Sequence, residues 1–132
     1  MIGTLNELAD AWWSAEDAAS RDRLAQLLRT EKELLKQMRH GTLSPARVKD
    51  EHSFRRMLAL CDLHYRGDDH RDCIVTLVLL RHAASQNGID PLPLLQDASH
   101  LASDELRPCF ASAIQHTNEE VLHTVRSFGQ KT

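Results

Sequence analysis

Residues 70–87 read HRDCIVTLVLLRHAASQN, and this stretch is apolar on most of the circumference that a helix would present. No part of the chain shows period-two alternation of apolar residues beside a hairpin turn, which argues against strands. A helix that is apolar all round is normally covered by other helices. The stretch therefore predicts a central helix around which the other helices pack.

Glycines and capping residues on both sides of this stretch divide the chain into further helices. Glycine accepts the left-handed backbone that ends many helices, and four of the five glycines follow an apolar-periodic stretch: Gly41, Gly67, Gly88 and Gly129. Thr4 and Glu7 form a capping-box pattern, and Ser44-Pro45 and Asp90-Pro91 are typical of helix starts. These signals predict helices over 5–14, 17–40, 45–66, 70–87, 91–102 and 104–128, the last with a break at Thr117.

The predicted helices are joined by loops of a few residues, which makes consecutive helices antiparallel neighbours. The chain has 132 residues, of which 42% are hydrophobic and 27% are charged, an ordinary globular composition. It contains no low-complexity linker and no repeat of fixed period. We therefore expect an all-α, up-and-down helical bundle of about six helices, with residues 1–132 forming a single domain.

The most specific chemical pattern is Cys61-x-x-His64 followed by His70-x-x-Cys73, which is symmetric about Gly67. Each pair spans one helical turn, so a chain reversal at the glycine would place the four side chains at matched heights. Two thiolates and two imidazoles suit a tetrahedral zinc ion, so zinc is the candidate cofactor of this pattern, although our first expectation is no cofactor. The alternative is that both cysteines are small apolar side chains that fill the seam between the helices.

Trp12 and Trp13 are adjacent, so on a helix their side chains point about 100° apart. One ring can then join Leu5 and Leu8 in the core while the other lies on the flank of the helix. Exposed tryptophan is frequent in protein interfaces, so the pair is a candidate partner-binding site. The alternative is that both rings are buried in a wide core.

A stripe of leucines between Leu24 and Met38 repeats every seven residues at Leu27 and Leu34 and at Leu28 and Leu35. Heptad spacing is typical of helices that pair along a seam. This stripe is therefore the predicted surface for a homodimer, unless it packs inside the monomer.

Charge and composition argue against several other classes. The net charge of −3 disfavours binding to nucleic acid over the whole surface, although residues 20–56 hold ten Lys or Arg against five Asp or Glu. The longest apolar run is far shorter than the roughly 18 residues of a membrane span, so no membrane partner is expected. Three unevenly spaced cysteines do not form a disulfide framework, and no secretory leader is recognisable, so a cytoplasmic location is expected.

No catalytic constellation is recognisable. The glycines are used as helix caps, so no glycine-rich phosphate loop remains, and Glu120-x-x-His123 is a single copy of a motif that di-metal bundles need twice. We therefore expect a non-catalytic helical protein-interaction module, an adaptor, subunit or regulatory partner that could bind a second copy of itself. The alternatives are a zinc-stabilised metal-binding bundle and a helical nucleic-acid-binding protein.

Overall fold

The computed structural model of the chain describes residues 2–128, where it contains eight α-helices, one short 3₁₀ helix and no strand. The all-helical bundle predicted from the sequence is confirmed, with eight helices in place of about six. The α-helices are α1 Leu5–Ser14, α2 Ala18–Thr30, α3 Lys32–Met38, α4 Glu51–His64, α5 His70–Gln86, α6 Pro91–Leu101, α7 Arg107–Gln115 and α8 Asn118–Phe128, and the 3₁₀ helix Pro45–Arg47 precedes α4.

The predicted helix over 17–40 is interrupted at Glu31, whose backbone is extended with φ −91° and ψ 112°. The interruption turns α3 towards the start of α1, where the side chain of Gln37 accepts a hydrogen bond from the backbone N–H of Leu5 (3.0 Å) and donates one to the carbonyl of Gly3 (3.1 Å). The first of these contacts satisfies a backbone N–H that a helix start leaves unpaired. A long-range contact thus accompanies a break that no local residue signals.

The helix predicted over 104–128 divides into α7 and α8 at the predicted position. Thr117 accepts a hydrogen bond from the backbone N–H of Glu120 (3.1 Å), and Glu120 accepts one from the N–H of Thr117 (2.8 Å), so the two residues form a reciprocal cap. The predicted start at Pro45 is wrong for α4, because the proline opens only the 3₁₀ turn. Asp50 and Ser53 form the capping box that begins α4.

Helices α4 and α5 form the centre of the bundle. Helices α1 and α2 pack on α4, whereas α7 and α8 pack on α5 and α6 contacts both central helices. The buried apolar side chains join one cluster to which all eight helices contribute, with Trp12, Phe54 and Phe110 as the largest fully buried members. The prediction of a central helix at α5 is consistent with this packing, and the prediction of one domain over 1–132 stays a prediction.

Three of the glycines predicted to end helices have the left-handed backbone that the prediction requires. Their φ angles are 72° at Gly41, 75° at Gly67 and 76° at Gly88. A side chain at these positions would be strained, because only glycine adopts such angles readily. The fourth predicted cap, Gly129, lies outside the described residues. None of the helices in residues 2–128 has the length and hydropathy of a membrane-spanning segment.

Candidate functional site

The most buried charged side chain of the described residues is that of Asp62 in α4, which has no exposed surface. Its Oδ2 atom accepts hydrogen bonds from the indole Nε1 of Trp12 (2.8 Å) and from Nη2 of Arg66 (2.8 Å). Its Oδ1 atom accepts one from the backbone N–H of Ser103 (2.9 Å). Because a buried carboxylate is costly without partners, these bonds tie α1 and the α6–α7 junction to α4.

Arg66 extends this network from the core to the surface. Its Nη1 atom lies 2.5 Å from Oδ1 of Asp22, an exposed residue of α2. Burial alone would lower the pKa of Arg66, but the hydrogen bonds and charges of Asp62 and Asp22 outweigh burial and hold that pKa above its ordinary value. The guanidinium therefore stays charged and is committed to structural contacts.

Arg21 covers the other side of Trp12 and is only 6% exposed. Its Nε atom donates to the carbonyl oxygen of Trp12 (3.0 Å), and its Nη2 atom donates to the carbonyl oxygen of Ala15. These oxygens belong to the C-terminal end of α1, where helical carbonyls lack partners in the helix. The guanidinium also lies 5.6 Å from the centre of the Trp12 ring, within the range of a cation–π contact.

The two tryptophans of the predicted partner-binding site occupy different environments. Trp12 is fully buried in the network of Asp62, whereas Trp13 is partly exposed on the flank of α1. The indole Nε1 of Trp13 donates to the carbonyl oxygen of Arg55 (2.8 Å), and the Arg55 guanidinium lies 4.3 Å from the ring centre. The ring face that a partner would contact is therefore already covered by Arg55, and partner binding by this pair stays a prediction.

The structure brings together the cysteines of the predicted zinc site but not its histidines. Cys61 and Cys73 are buried in one seam with Cys109, and the thiol of Cys109 donates to the carbonyl oxygen of His70 (3.8 Å). Burial raises the pKa of all three thiols, so they remain protonated. This arrangement supports the alternative in which the cysteines fill a seam between helices.

Both histidines of the predicted zinc site lie outside this seam. His64 is exposed and packs edge-on against Tyr65, with ring centres 4.8 Å apart. His70 is also exposed, and its Nε2 atom lies 3.2 Å from Oε2 of Glu105. Within residues 2–128, no three His, Cys, Asp or Glu side chains are grouped as a metal site requires. Zinc binding thus stays a prediction that this geometry does not favour.

The leucine stripe predicted as a homodimer surface faces the interior of the bundle. Leu28 and Leu34 are buried, and Leu24, Leu27 and Met38 are partly buried against the core. The break at Glu31 also divides the stripe between α2 and α3, and a continuous heptad seam requires an unbroken helix. The geometry therefore favours packing within the monomer for this stripe.

The large apolar side chains that remain exposed lie on α8. Leu122 is 41% exposed and Phe128 is 43% exposed, and they are the two such residues found in the described part of the chain. Glu119 and Arg126 are exposed as well, and they lie three residues before and four residues after Leu122. These spacings place the three side chains on one face of the helix. We call this face, made of Glu119, Leu122 and Arg126, the α8 stripe.

A cavity of about 350 Å³ adjoins the α8 stripe and lies between α5, α6 and α8. Leu122 forms part of its wall, together with Leu92 of α6, and Arg81 of α5 lines it. Arg81 is only 7% exposed and contacts the C-terminal end of α7. This end of the molecule therefore combines exposed apolar side chains with a buried cation.

Comparisons with protein-family models, with curated proteins and with solved structures found no match to this chain. The site must therefore be interpreted from its own chemistry.

The sequence interpretation missed Asp62 and Arg81, the two charged residues around which these regions are built. A signal for each was present, because Asp62 interrupts the apolar run LALCDL over 58–63 and Arg81 follows LVLL over 77–80. A charged residue within a run that is otherwise buried is normally paired inside the fold. Periodicity alone overlooks such residues, because it counts only the apolar positions.

Proposed function

We propose that this chain is a non-catalytic helical interaction module and that its partner is a second copy of itself, bound through the α8 stripe. The observation that carries the proposal is the order of residues along the stripe, with an acid, a leucine and a base at Glu119, Leu122 and Arg126. A two-fold axis makes the same patch serve on both subunits, so a symmetric interface must be self-complementary. The α8 stripe has this property in an antiparallel pair.

In an antiparallel pair centred on Leu122, the leucine of one copy meets the leucine of the other. Glu119 of each copy then lies beside Arg126 of the opposite copy, which gives two ion pairs around an apolar centre. In the described residues, neither Glu119 nor Arg126 takes part in an ion pair of its own chain. Both charges are therefore available to a second subunit.

The size of this surface predicts a weak, reversible dimer. One pair of helices buries less area than the roughly 1,200 Å² of a standard stable interface, which is the range of transient complexes. We expect a dissociation constant on the order of 10–100 μM. Dimer formation should therefore depend on protein concentration in the measurable range.

Charge reversal at the two ends of the α8 stripe tests the proposal. In Arg126→Glu, the stripe carries two acids, and in Glu119→Arg it carries two bases, so each variant repels its own copy. A mixture of equal amounts of the two variants places opposite charges at both contacts and should form a heterodimer. Sedimentation velocity over a concentration series up to about 1 mM distinguishes these states, because the expected dissociation constant lies well below that limit.

Arg23→Glu provides the matched control, because it makes the same charge change at an exposed position of α2. This variant should dimerise like the wild type. Two results would overturn the proposal: a wild-type chain that stays monomeric throughout the series, or an Arg126→Glu variant that dimerises as well as the Arg23→Glu control.

A further inference from the structure

The guanidinium of Arg81 uses one of its three nitrogens to cap α7. Nη1 donates to the carbonyl oxygens of Ala113 (2.7 Å) and His116 (2.9 Å), with a longer contact to that of Ile114 (3.4 Å). These oxygens lie at the C-terminal end of the helix, where carbonyls lack partners within the helix. Capping of α7 therefore accounts for the hydrogen bonds of Nη1, whereas Nε and Nη2 have no part in it.

Nε and Nη2 of Arg81 have no acceptor among residues 2–128. Every fully buried side-chain nitrogen or oxygen of the described residues has a hydrogen-bond partner. Since Nε and Nη2 of Arg81 have none, they are not fully buried and must reach solvent-accessible space. Arg81 lines the cavity between α5, α6 and α8, which is open space beside this side chain. Adjacent N–H groups of one guanidinium match the two oxygens of a carboxylate.

The rest of the cavity is suited to a small ligand with an apolar body. Its apolar wall consists of Pro91 and Leu92 at the start of α6 and Val121 and Leu122 in α8. The volume of about 350 Å³ lies at the lower end of the range of roughly 300–1,000 Å³ that small-molecule sites occupy. Charged groups that are only weakly solvated gain most from a ligand of opposite charge.

The electrostatic surroundings favour a single negative charge over a double one. Burial lowers the pKa of Arg81 from its ordinary value, which shows that the cation is incompletely solvated. Asn118 places the positive end of the α8 dipole at the cavity, whereas the carboxylate of Asp90 opposes an anion there. His82, Ser85 and Asn118 also line the cavity and can donate hydrogen bonds, but Arg81 is the one cation of fixed charge among the described residues of this lining.

We propose that this cavity binds a small organic monocarboxylate, with the carboxylate on Nε and Nη2 of Arg81 and a short apolar tail against Leu92 and Val121. The site shares Leu122 with the proposed dimer interface, but its polar contacts come from α5 of one subunit. No chemical motif pointed to this cavity, since its walls come from three helices that are separated in the chain.

Hexanoate is the probe for this proposal, and hexan-1-ol is its neutral counterpart with the same tail. A two-dimensional NMR titration of the full chain should show saturable shifts around Arg81, Leu92 and Val121 with hexanoate. Hexan-1-ol should bind at least about tenfold more weakly, because it lacks the charge that Arg81 recognises. Repeating the titration with Arg126→Glu removes any contribution from self-association.

Two charge changes at the mouth of the cavity should move the affinity in opposite directions. Ser85→Asp adds a negative charge at an exposed position and should weaken hexanoate binding at least about tenfold relative to the isosteric Ser85→Asn. Asp90→Asn removes the opposing charge and should strengthen binding. The side chain of Asp90 makes no capping hydrogen bond, so this change should leave α6 intact.

The proposal is overturned if hexanoate produces no saturable shifts, if hexan-1-ol binds equally well, or if Ser85→Asp and Ser85→Asn bind hexanoate alike. Arg81→Lys gives an independent check, since a lysine can still donate to the α7 carbonyls but cannot offer two parallel N–H groups. A folded Arg81→Lys variant should lose hexanoate binding, and retention of wild-type affinity in that variant would also refute the assignment.

Discussion

Arg21 and Arg81 make similar contacts in two parts of the bundle, yet their surroundings differ. Both are more than nine-tenths buried, and both donate to carbonyl oxygens at the C-terminal end of a helix, α1 for Arg21 and α7 for Arg81. The polar groups of Trp12 and Asp62 near Arg21 have partners inside the protein, and the cavity that Arg21 lines is also lined by four carboxylates. In the described part of the chain, the cavity that Arg81 lines has one carboxylate in its lining, that of Asp90.

This difference separates a structural region from a candidate binding region. A polar network whose members are all satisfied rigidifies the core, because breaking any bond leaves a buried group unpaired. Donors that face a cavity beside exposed apolar side chains can gain partners without that cost. We therefore expect the Asp62 network to contribute stability, and the cavity and the α8 stripe to contribute the proposed binding.

The largest effect is expected for Asp62→Ala, which removes the acceptor shared by Trp12, Arg66 and Ser103. The free energy of unfolding should fall by about 3–5 kcal/mol, because the donors of Trp12 and Ser103 are left unpaired in the core and Arg66 keeps only its exposed carboxylate partner Asp22. Urea unfolding followed by circular dichroism measures this loss. Asp22→Ala removes only the exposed partner of Arg66 and should cost less than about 1 kcal/mol. Equal losses in both variants would contradict the structural role of the network.

A smaller effect is expected for Trp12→Phe, which keeps an aromatic ring but deletes the N–H that reaches Asp62. The expected loss is about 1–3 kcal/mol, because a buried carboxylate oxygen loses one of its donors. Trp13→Phe is the matched control on the flank of α1, where the lost bond to the Arg55 carbonyl is only partly buried. Denaturant unfolding of both variants should rank Trp12 above Trp13, and the reverse order would contradict the environments described for the two rings.

Leu122→Ser tests the α8 stripe. This change should leave the stability of the monomer nearly unchanged and should weaken the association of two copies. The free energy of unfolding of the monomer should change by no more than about 0.5 kcal/mol, as is usual for exposed positions. The dissociation constant of the dimer should rise by at least about tenfold in sedimentation velocity. The same substitution at the fully buried Leu58 should cost several kcal/mol of stability. Unchanged association in Leu122→Ser would remove α8 from the interface.

The smallest effect concerns the acid stability of the turn after α4. Glu105 accepts hydrogen bonds from the N–H of Gly67 (2.6 Å) and from His70 (3.2 Å). Both bonds lower the pKa of its carboxyl below the ordinary 4.5, and the bond from Gly67 makes the larger contribution. A carboxyl whose pKa is lower in the folded state stabilises the fold above its unfolded pKa, and this contribution disappears as the pH falls through the folded pKa.

The wild type should therefore lose slightly more stability than Glu105→Gln between about pH 5 and pH 3. The effect is small because the Glu105 side chain is 40% exposed. Urea unfolding at a series of pH values measures it, and parallel pH profiles for the two proteins would show that Glu105 makes no such contribution.

The fold was largely predictable because helix signals are local. Thr4 and Glu7 marked the start of α1, and Thr117 marked the division between α7 and α8. Helices α4 and α5 end close to the residues predicted from Gly67 and Gly88. The break at Glu31 was missed because it is accompanied by a non-local contact. Gln37 of α3 accepts a hydrogen bond from Leu5 of α1, more than thirty positions earlier in the chain. Periodicity within one segment carries no information about such contacts.

The sites were less predictable because side-chain partners depend on packing between segments. The symmetric spacing of Cys61, His64, His70 and Cys73 suggested four ligands at one point, but the packing of α4 on α5 buries the thiols and leaves the imidazoles outside. Heptad spacing from Leu24 to Met38 suggested an outer seam, but most of that face is turned towards the core. In both cases the spacing along the sequence fits buried side chains as well as side chains that form a site or an interface.

The sequence by itself determined the all-helical class, most helix boundaries and the central position of α5, because capping, glycine conformation and apolar periodicity act over one or two turns. Only the tertiary structure decided that Asp62 meets Trp12, 50 positions away, and Ser103, 41 positions away. It alone decided that Arg81 lines a cavity and that Leu122 stays exposed. The physical reason is that burial and hydrogen-bond partners are properties of several helices packed together.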